Sequence, residues 1–342
     1  MQTLSPGRTT LTVALLVLIL AALFIVSFLM GRFDISLGQV YRVLSSHLLR
    51  QECAEPDIVK SVVLKVRTPR IFAAILIGGA LAVSGAVYQG LFKNPMVSPD
   101  IMGASSGAGF GAALAILMSF SFTGIQITSF IFGILAVVLA YSICTAVSQG
   151  KDSILILVLS GMVISTLFSS FITLSKFVAD PYSKLPEITY WLMGTLSATT
   201  SADVRVLIIP LLIGFVPLFL LRWRLNAMAF GDEEAQAMGL NTKRLRIIFI
   251  ATSTLLTAAC VAIAGMIGWV GLIIPHFSRM IVGPNYKTLL PVSFLIGGIF
   301  MLGVDNIART AFSMEIPLGI LTSIIGAPFF VYLLFKRKKN SA

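Results

Sequence analysis

Along this chain, apolar runs long enough to cross a bilayer alternate with short polar connections. A crossing helix takes roughly 20 apolar residues. On that measure the chain divides into about ten spans, at 11–30, 71–90, 103–120, 125–148, 154–175, 204–221, 247–266, 269–282, 288–307 and 317–335. Helices are the expected element, because lipid offers no partner to an open strand edge or irregular backbone. The segment 269–282 is short and holds Pro275, His276 and Arg279, while 204–221 holds Pro210 and Pro217, which bend a helix. The first run, Leu11 to Met30, is too long for a signal-peptide core and lacks a small-residue cleavage site, so it reads as a retained helix. The expectation is an all-α integral membrane protein with one transmembrane domain over 1–342. It carries a long connection at 31–69 and a charged one at 222–246.

The charged connection, RWRLNAMAFGDEEAQAMGLNTKRLR, breaks the apolar pattern most sharply. Asp232 stands before a helix-forming run, Glu-Glu-Ala-Gln-Ala-Met, and Gly239 followed by Asn241 predicts its stop. A shorter turn, Asn226 to Phe230, comes first and breaks off at Gly231. Such an island either presents a surface to something outside the membrane or is an ordinary solvated loop.

Composition changes the picture little. The 342 residues are 57% hydrophobic and 11% charged, where a soluble domain carries roughly 25% charged residues. The net charge of +11 is not a nucleic-acid signal. Basic residues cluster at the ends of apolar runs, where they fix orientation and meet anionic headgroups. Lys93, Lys151, Arg279, Lys287, the island and the Lys336–Lys339 run fall on one side, read as the cytoplasm together with both termini. The connection at 31–70 breaks that rule with Arg32, Arg42, Arg50, Lys60, Lys65, Arg67 and Arg70. Either the first span is misplaced or these residues have a role of their own. Cys53, Cys144 and Cys260 are scattered without metal-ligand spacing.

Small residues at Gly103, Gly107 and Gly111, and at Gly161 and Ser165, predict close helix packing. The classes of membrane protein then separate by what is missing from the spans. An ion-coupled secondary transporter uses intramembrane acids or broken helices. The one acid deep in a predicted span is Asp305, which capping or pairing with Arg309 one turn later accounts for. A channel filter motif is absent, and the two histidines, His47 and His276, lie far apart in the sequence. A permease driven by a separate ATPase remains. Gly150-Lys151 lacks the glycine-rich lead-in of a phosphate loop, so the chain has no such loop of its own.

Several long stretches carry a resemblance. They are RTPRIFAAILIGGALAVSGAVYQGLFKNPMVSPDIMGASSGA (67–108), YWLMGTL (190–196), AFGDEEAQAMGL (229–240), GWVGLIIPHFSRMIVG (268–283), VDNIAR (304–309) and IPLGILTSIIGAPFFVYLLFK (316–336). In this order, from about Val66 to Phe335, they resemble the FecCD-type permeases, membrane subunits of ABC importers for iron-siderophores, haem and cobalamin. The first 60 residues match loosely, and Met96, Val97 and Trp269 stand where the family more often has Leu, Ala and Phe. The resemblance implies a cobalamin-importer-like fold of ten helices and a homodimer with its pathway between subunits. It further implies two ATP-binding cassette subunits that carry ATP-Mg, an external substrate-binding protein, no cofactor on this chain, and the inner membrane of a prokaryote.

It also implies roles for particular residues. Ala227, Phe230, Gly231, Asp232, Glu233, Ala235, Met238, Gly239 and Leu240 match coupling helices that seat in the ATPase. Arg67, Arg70 and Arg309 match arginines that face the binding protein, although Arg67 and Arg70 also suit a headgroup anchor with Pro69 starting a helix. A gate falls near Ser148 to Ser153. Ser160, Ser165 and Ser169, with Thr166, Ser170, Thr173 and Met162, form a polar stripe on the fifth span. That stripe either lines the pathway or bonds back to its own helix. A ferric siderophore or similar metal chelate is the expected cargo, with haem, cobalamin and molybdate as alternatives.

Overall fold

The computed structural model describes residues 6–148 and 154–339. In chain order the helices are α1 (Pro6–Leu29), α2 (Leu37–Leu49), α3 (Asp57–Ser61), α4 (Thr68–Leu91), α5 (Ala104–Leu117), α6 (Phe122–Val147), α7 (Ile154–Val178), α8 (Lys184–Met193), α9 (Ser201–Leu220), α10 (Arg222–Phe230), α11 (Asp232–Ala237), α12 (Thr242–Ala264), α13 (Val270–Val282), α14 (Tyr286–Thr310) and α15 (Leu318–Lys339). A π-helical turn, Val62–Arg67, joins α3 to α4, and a 3₁₀ turn, Pro99–Met102, leads into α5. Seven of these segments are long and apolar enough to cross a bilayer, and Ala104–Leu117, Val270–Val282 and Leu318–Tyr332 are shorter apolar helices. Together they make the ten expected spans.

Span boundaries shift by a few residues. The expected 103–120 span shortens to Ala104–Leu117, because Gly103 turns left-handed at φ 82° and separates the 3₁₀ turn from α5. Gly107 and Gly111 meet α6, where a Cβ would lie 2.5 Å from the carbonyl oxygens of Phe132 and Thr128. Gly103, besides capping α5, lies against α7, where a Cβ would be 3.3 Å from the Ser165 backbone nitrogen. The connection at 31–69 is not loose. It holds α2, opened by a Ser36 capping box, and Arg42 closes on Glu55 at 2.5 Å.

Helix α4 is the hub, with 83% of its apolar window buried. It packs against α12, α13 and α14. In lipid, apolar side chains gain little by leaving their surroundings, so close backbone approach and shape carry the packing. Gly85 shows the limit: a Cβ there would sit 1.8 Å from the carbonyl oxygen of Gly271 on α13. By contrast, α6, α7 and α9 each have 28% of their windows buried and α1 has 11%, so these helices form the outside of the bundle.

Candidate functional site

Polar side chains gather at the two ends of the bundle. At one end α10 rests on the feet of α4 and α14, and α11 packs against α10 and α12. Helix α10 starts one turn earlier than expected, at Arg222, and ends at Gly231. In α11, Asp232 is the first helical residue rather than a side-chain cap, and it favours the positive end of that turn. Gly239 ends the segment in the left-handed region at φ 76°, as expected. Asn241 instead caps α12 by accepting from the Arg244 backbone N–H at 3.0 Å.

Two asparagines join α10 to α14. Asn226 Nδ2 donates to Asn285 Oδ1 at 3.0 Å, and Asn226 Oδ1 accepts from the Tyr286 backbone N–H at 2.8 Å. Asn285 also caps α14, accepting from the Lys287 N–H at 3.0 Å. Arg222 Nη1 donates to the Lys287 carbonyl at 3.2 Å. Helix α13 is fastened to α4 through Gln89, which accepts from Arg279 Nη2 at 2.9 Å and donates to the Leu272 carbonyl at 3.0 Å. Helix α11 is held to α12 by Arg246 Nη2 to Asp232 Oδ2 at 2.7 Å and by Gln236 Nε2 to Thr242 Oγ1 at 3.1 Å. The island is therefore pinned to the bundle on both flanks.

The residues expected on its outer surface divide in two. Phe230 is 77% exposed and Met238 51%, and Glu233 and Gly239 are exposed as well. Asp232 and Leu240 are half-buried, and Gly231, Ala227 and Ala235 are buried. Ala235 in particular faces inward with no exposed surface, so it serves the packing of α11 rather than an outer contact, whereas Ala237 is exposed. A hollow of about 350 Å³ opens among Trp223, Ala227, Phe230, Met238 and Lys287.

At the opposite end the three expected docking arginines are folded inward. Arg67, Arg70 and Arg309 are 3%, 4% and 5% exposed. Arg70 Nε donates to both Asp305 oxygens at 2.9 and 3.1 Å, and its Nη1 donates to Glu315 at 3.0 Å. Arg67 donates to the carbonyls of Phe28 and Phe33. Arg309 Nη2 donates to the Ser27 carbonyl at 2.7 Å and to Asn306 Oδ1, and Asn306 Nδ2 donates to Ser27 Oγ at 2.8 Å. The main partner of Asp305 is thus Arg70 on α4, and Arg309, expected as its partner, is farther away at 3.7 Å. In this chain the arginines are internal fasteners of α1, α4, α14 and the turn before α15, not projecting cations.

The stripe on α7 bonds back to its own helix at three positions and to α5 at two. Thr166, Ser170 and Thr173 donate back to the carbonyls of Met162, Thr166 and Ser169 at 2.9–3.0 Å. Ser165 instead meets Ser106 of α5 at 3.0 Å, and Ser169 donates to the same hydroxyl at 3.5 Å. Met162 is 54% exposed, while Ser160 is buried. Ser148 caps α6 with its backbone, and Ser153 lies outside the described residues.

The sequence reading missed Asn226, Asn285, Gln89 and Ser106 as members of these networks. The available signal was a lone amide or hydroxyl near the end of an apolar run. Among the described residues no group of three His, Cys, Asp or Glu side chains could hold a metal.

An all-helical multi-pass bundle with a polar, bundle-anchored island at one end has the form of a membrane permease. The FecCD transport family matches residues 18–336, and the chain belongs to that family. The molybdate import system permease protein MolB of Haemophilus influenzae is 40% identical over 95% of each chain. A probable iron chelatin transport system permease of Helicobacter pylori is 38% identical over 96% of this chain and 98% of its own. In solved structures, a chain described as a metal-chelate type ABC transporter in an inward-facing conformation superposes with a TM-score of 0.85. It is 38% identical and covers 95% of this chain and 99% of its own. This protein is accordingly a permease subunit of an ABC importer, a multi-pass protein of a prokaryotic inner membrane. Such permeases are non-catalytic and work with separate ATPase subunits and a binding protein.

Proposed function

We propose that this chain moves a metal chelate, such as a ferric siderophore, into the cytoplasm as one half of a homodimer. Two cassette subunits that hold ATP and Mg²⁺ press on α10 and α11, and a substrate-binding protein delivers cargo at the opposite face. The observation that carries the reading is the pinned island with its exposed apolar surface. A motor can move helices only through an element rigidly joined to them, and any shift must come from contacts that differ between motor states. The basic residues around the island favour a cytoplasmic location for that end and for both termini. The hydroxyl-bearing face of α7, without fixed charge, suits a bulky cargo passed along without tight binding, and the metal-chelate and iron chelatin relatives agree with that cargo.

The buried arginine cluster revises the docking half of the reading. Delivery rests on the overall shape of the α2 and α14–α15 end, with the arginines holding that surface in place. A second cargo, an oxyanion of the molybdate type, is favoured by the Haemophilus influenzae relative.

The test is ATP-dependent uptake in proteoliposomes carrying this chain, its cassette partner and its binding protein. Labelled ferric siderophores and labelled molybdate are supplied in parallel. Uptake of a siderophore that requires ATP and both partners supports the chelate reading. Uptake of molybdate alone replaces it with the second, and uptake driven by an ion gradient without ATP overturns both.

The asparagine pair gives a finer test. Asn226 makes two neutral hydrogen bonds to α14, and at about 1 kcal/mol each they amount to roughly 30-fold in an equilibrium. Asn226→Ala is expected to keep ATP hydrolysis by the assembled complex within about twofold and to lower cargo moved per ATP by roughly 30-fold. An unchanged ratio would show that motion does not pass through α10 to α14.

A further inference from the structure

We propose that a groove between α6, α9 and α12 holds one acyl chain of an anionic glycerophospholipid whose headgroup sits on Lys243 and Arg244. The groove has a volume of about 430 Å³ and is walled by Val138 and Tyr141 of α6, Ile213 of α9, and Ile247, Ala251 and Leu255 of α12. Its wall is hydrocarbon apart from Tyr141, Ser142, Thr252 and Thr254. The threonines that reach it are already engaged: Thr252 donates to the Ile248 carbonyl at 2.7 Å, and the Thr254 hydroxyl meets Tyr88 at 3.0 Å. A polar cargo would find no free partner at those threonines, whereas an alkyl chain needs none.

The mouth supplies the charge. Lys243 and Arg244 are exposed, and neither forms an ion pair among the described residues. On a helix, residues three and four apart stand over one another. Lys243 therefore stacks on Ile247 and Ala251, and Arg244 on Ile248 and Ala251, so both cations lie on the face that walls the groove.

The depths also agree. At a rise of about 1.5 Å per residue, Ile247 lies roughly 6 Å below Lys243, and the wall runs a further ~12 Å to Leu255. One leaflet of a hydrocarbon core is about 15 Å thick, so a headgroup on the two cations lays its chain along the groove for most of that leaflet. Basic residues beside clefts between membrane helices are a recurring arrangement for acidic headgroups. Helix α12 also carries Arg246, which holds Asp232 of α11. The lipid and the island would thus share the first turns of one helix. The inference concerns the membrane-facing side of the bundle and does not depend on the cargo.

The experiment is native mass spectrometry of the full-length protein taken from nanodiscs of phosphatidylcholine with phosphatidylglycerol in equal amounts. Wild type is expected to retain one phosphatidylglycerol in preference to phosphatidylcholine. Each basic residue near the surface is worth roughly fivefold in affinity, so K243Q/R244Q should reduce that preference by about 25-fold. Ala251→Trp, a change at an exposed position that fills the groove, should abolish retention of either lipid while elution volume stays that of wild type. Equal retention of both lipids by wild type would overturn the proposal, as would an unchanged preference in K243Q/R244Q or unchanged retention in Ala251→Trp. High-yield disulfide cross-linking of Ala251→Cys between two copies would also overturn it, by assigning the groove to a second chain.

Discussion

Replacing Asp305 with alanine is expected to destabilise the protein by about 3–5 kcal/mol, the usual cost of leaving a buried charge without its partner. In this cluster two guanidiniums, Arg70 and Arg309, face Asp305, Arg70 also meets Glu315, and Asp305 has no exposed surface. Loss of Asp305 would leave Arg70 with Glu315 alone and would remove the charge nearest to Arg309. Because a folded domain is stable by only about 5–15 kcal/mol, the variant should give a low yield of monodisperse protein and a lowered melting midpoint on heated size-exclusion. The double variant R70M/D305A restores the balance of charge and should recover part of the loss. Glu315→Gln, at a half-buried side chain, should cost less than either. If Asp305→Ala melted with wild type, the cluster would not be what ties α4 to α14. If it folded normally yet failed only to engage the binding protein, the arginines would have regained the docking role.

Phe230→Asp is expected to disconnect the permease from its ATPase without unfolding it. Phe230 is 77% exposed beside the hollow on the island, with Met238 at 51% across from it. Removing a central apolar anchor of a protein interface costs about 2 kcal/mol or more, roughly 30-fold in affinity, and a buried carboxylate adds to that. Pull-down of the cassette subunit and ATP-dependent uptake should both fall by at least tenfold, while elution volume and melting midpoint remain near wild type. Met238→Asp should act in the same direction. Ala235→Leu should behave differently. With no exposed surface at Ala235, a larger side chain disturbs how α11 packs, so stability falls together with uptake. Retention of full ATPase binding by Phe230→Asp would remove the island as the seat of the motor.

Much of this architecture was legible in the chain. The number of spans, the interruption at 222–246 and its two short helices follow from local signals. Apolarity is summed over about 20 residues, and glycine at 231 and 239 interrupts helix, Gly239 at a positive φ. The start of α5 was legible too, expected at 103 and found at Ala104 behind the left-handed Gly103. Which island residues face outward was not legible: of the nine expected at the surface, Phe230 and Met238 are exposed, but Ala227, Gly231 and Ala235 are buried.

Partner choice was decided elsewhere. Arg70 reads as a docking arginine or a headgroup anchor at a helix start, and its partner Asp305 lies 235 positions away. The same holds for Asn226 and Asn285, 59 positions apart, and for Ser106 and Ser165, also 59 apart. A lone polar residue in an apolar run states that it needs a partner in lipid, but not which one. The sequence by itself determined that this chain spans the membrane about ten times and carries a two-helix island. The tertiary structure decided that the arginines face inward and that the island is pinned through Asn226. Hydrophobic period and turn chemistry are local, whereas the pairing of buried polar groups depends on which helices cross, and at what height.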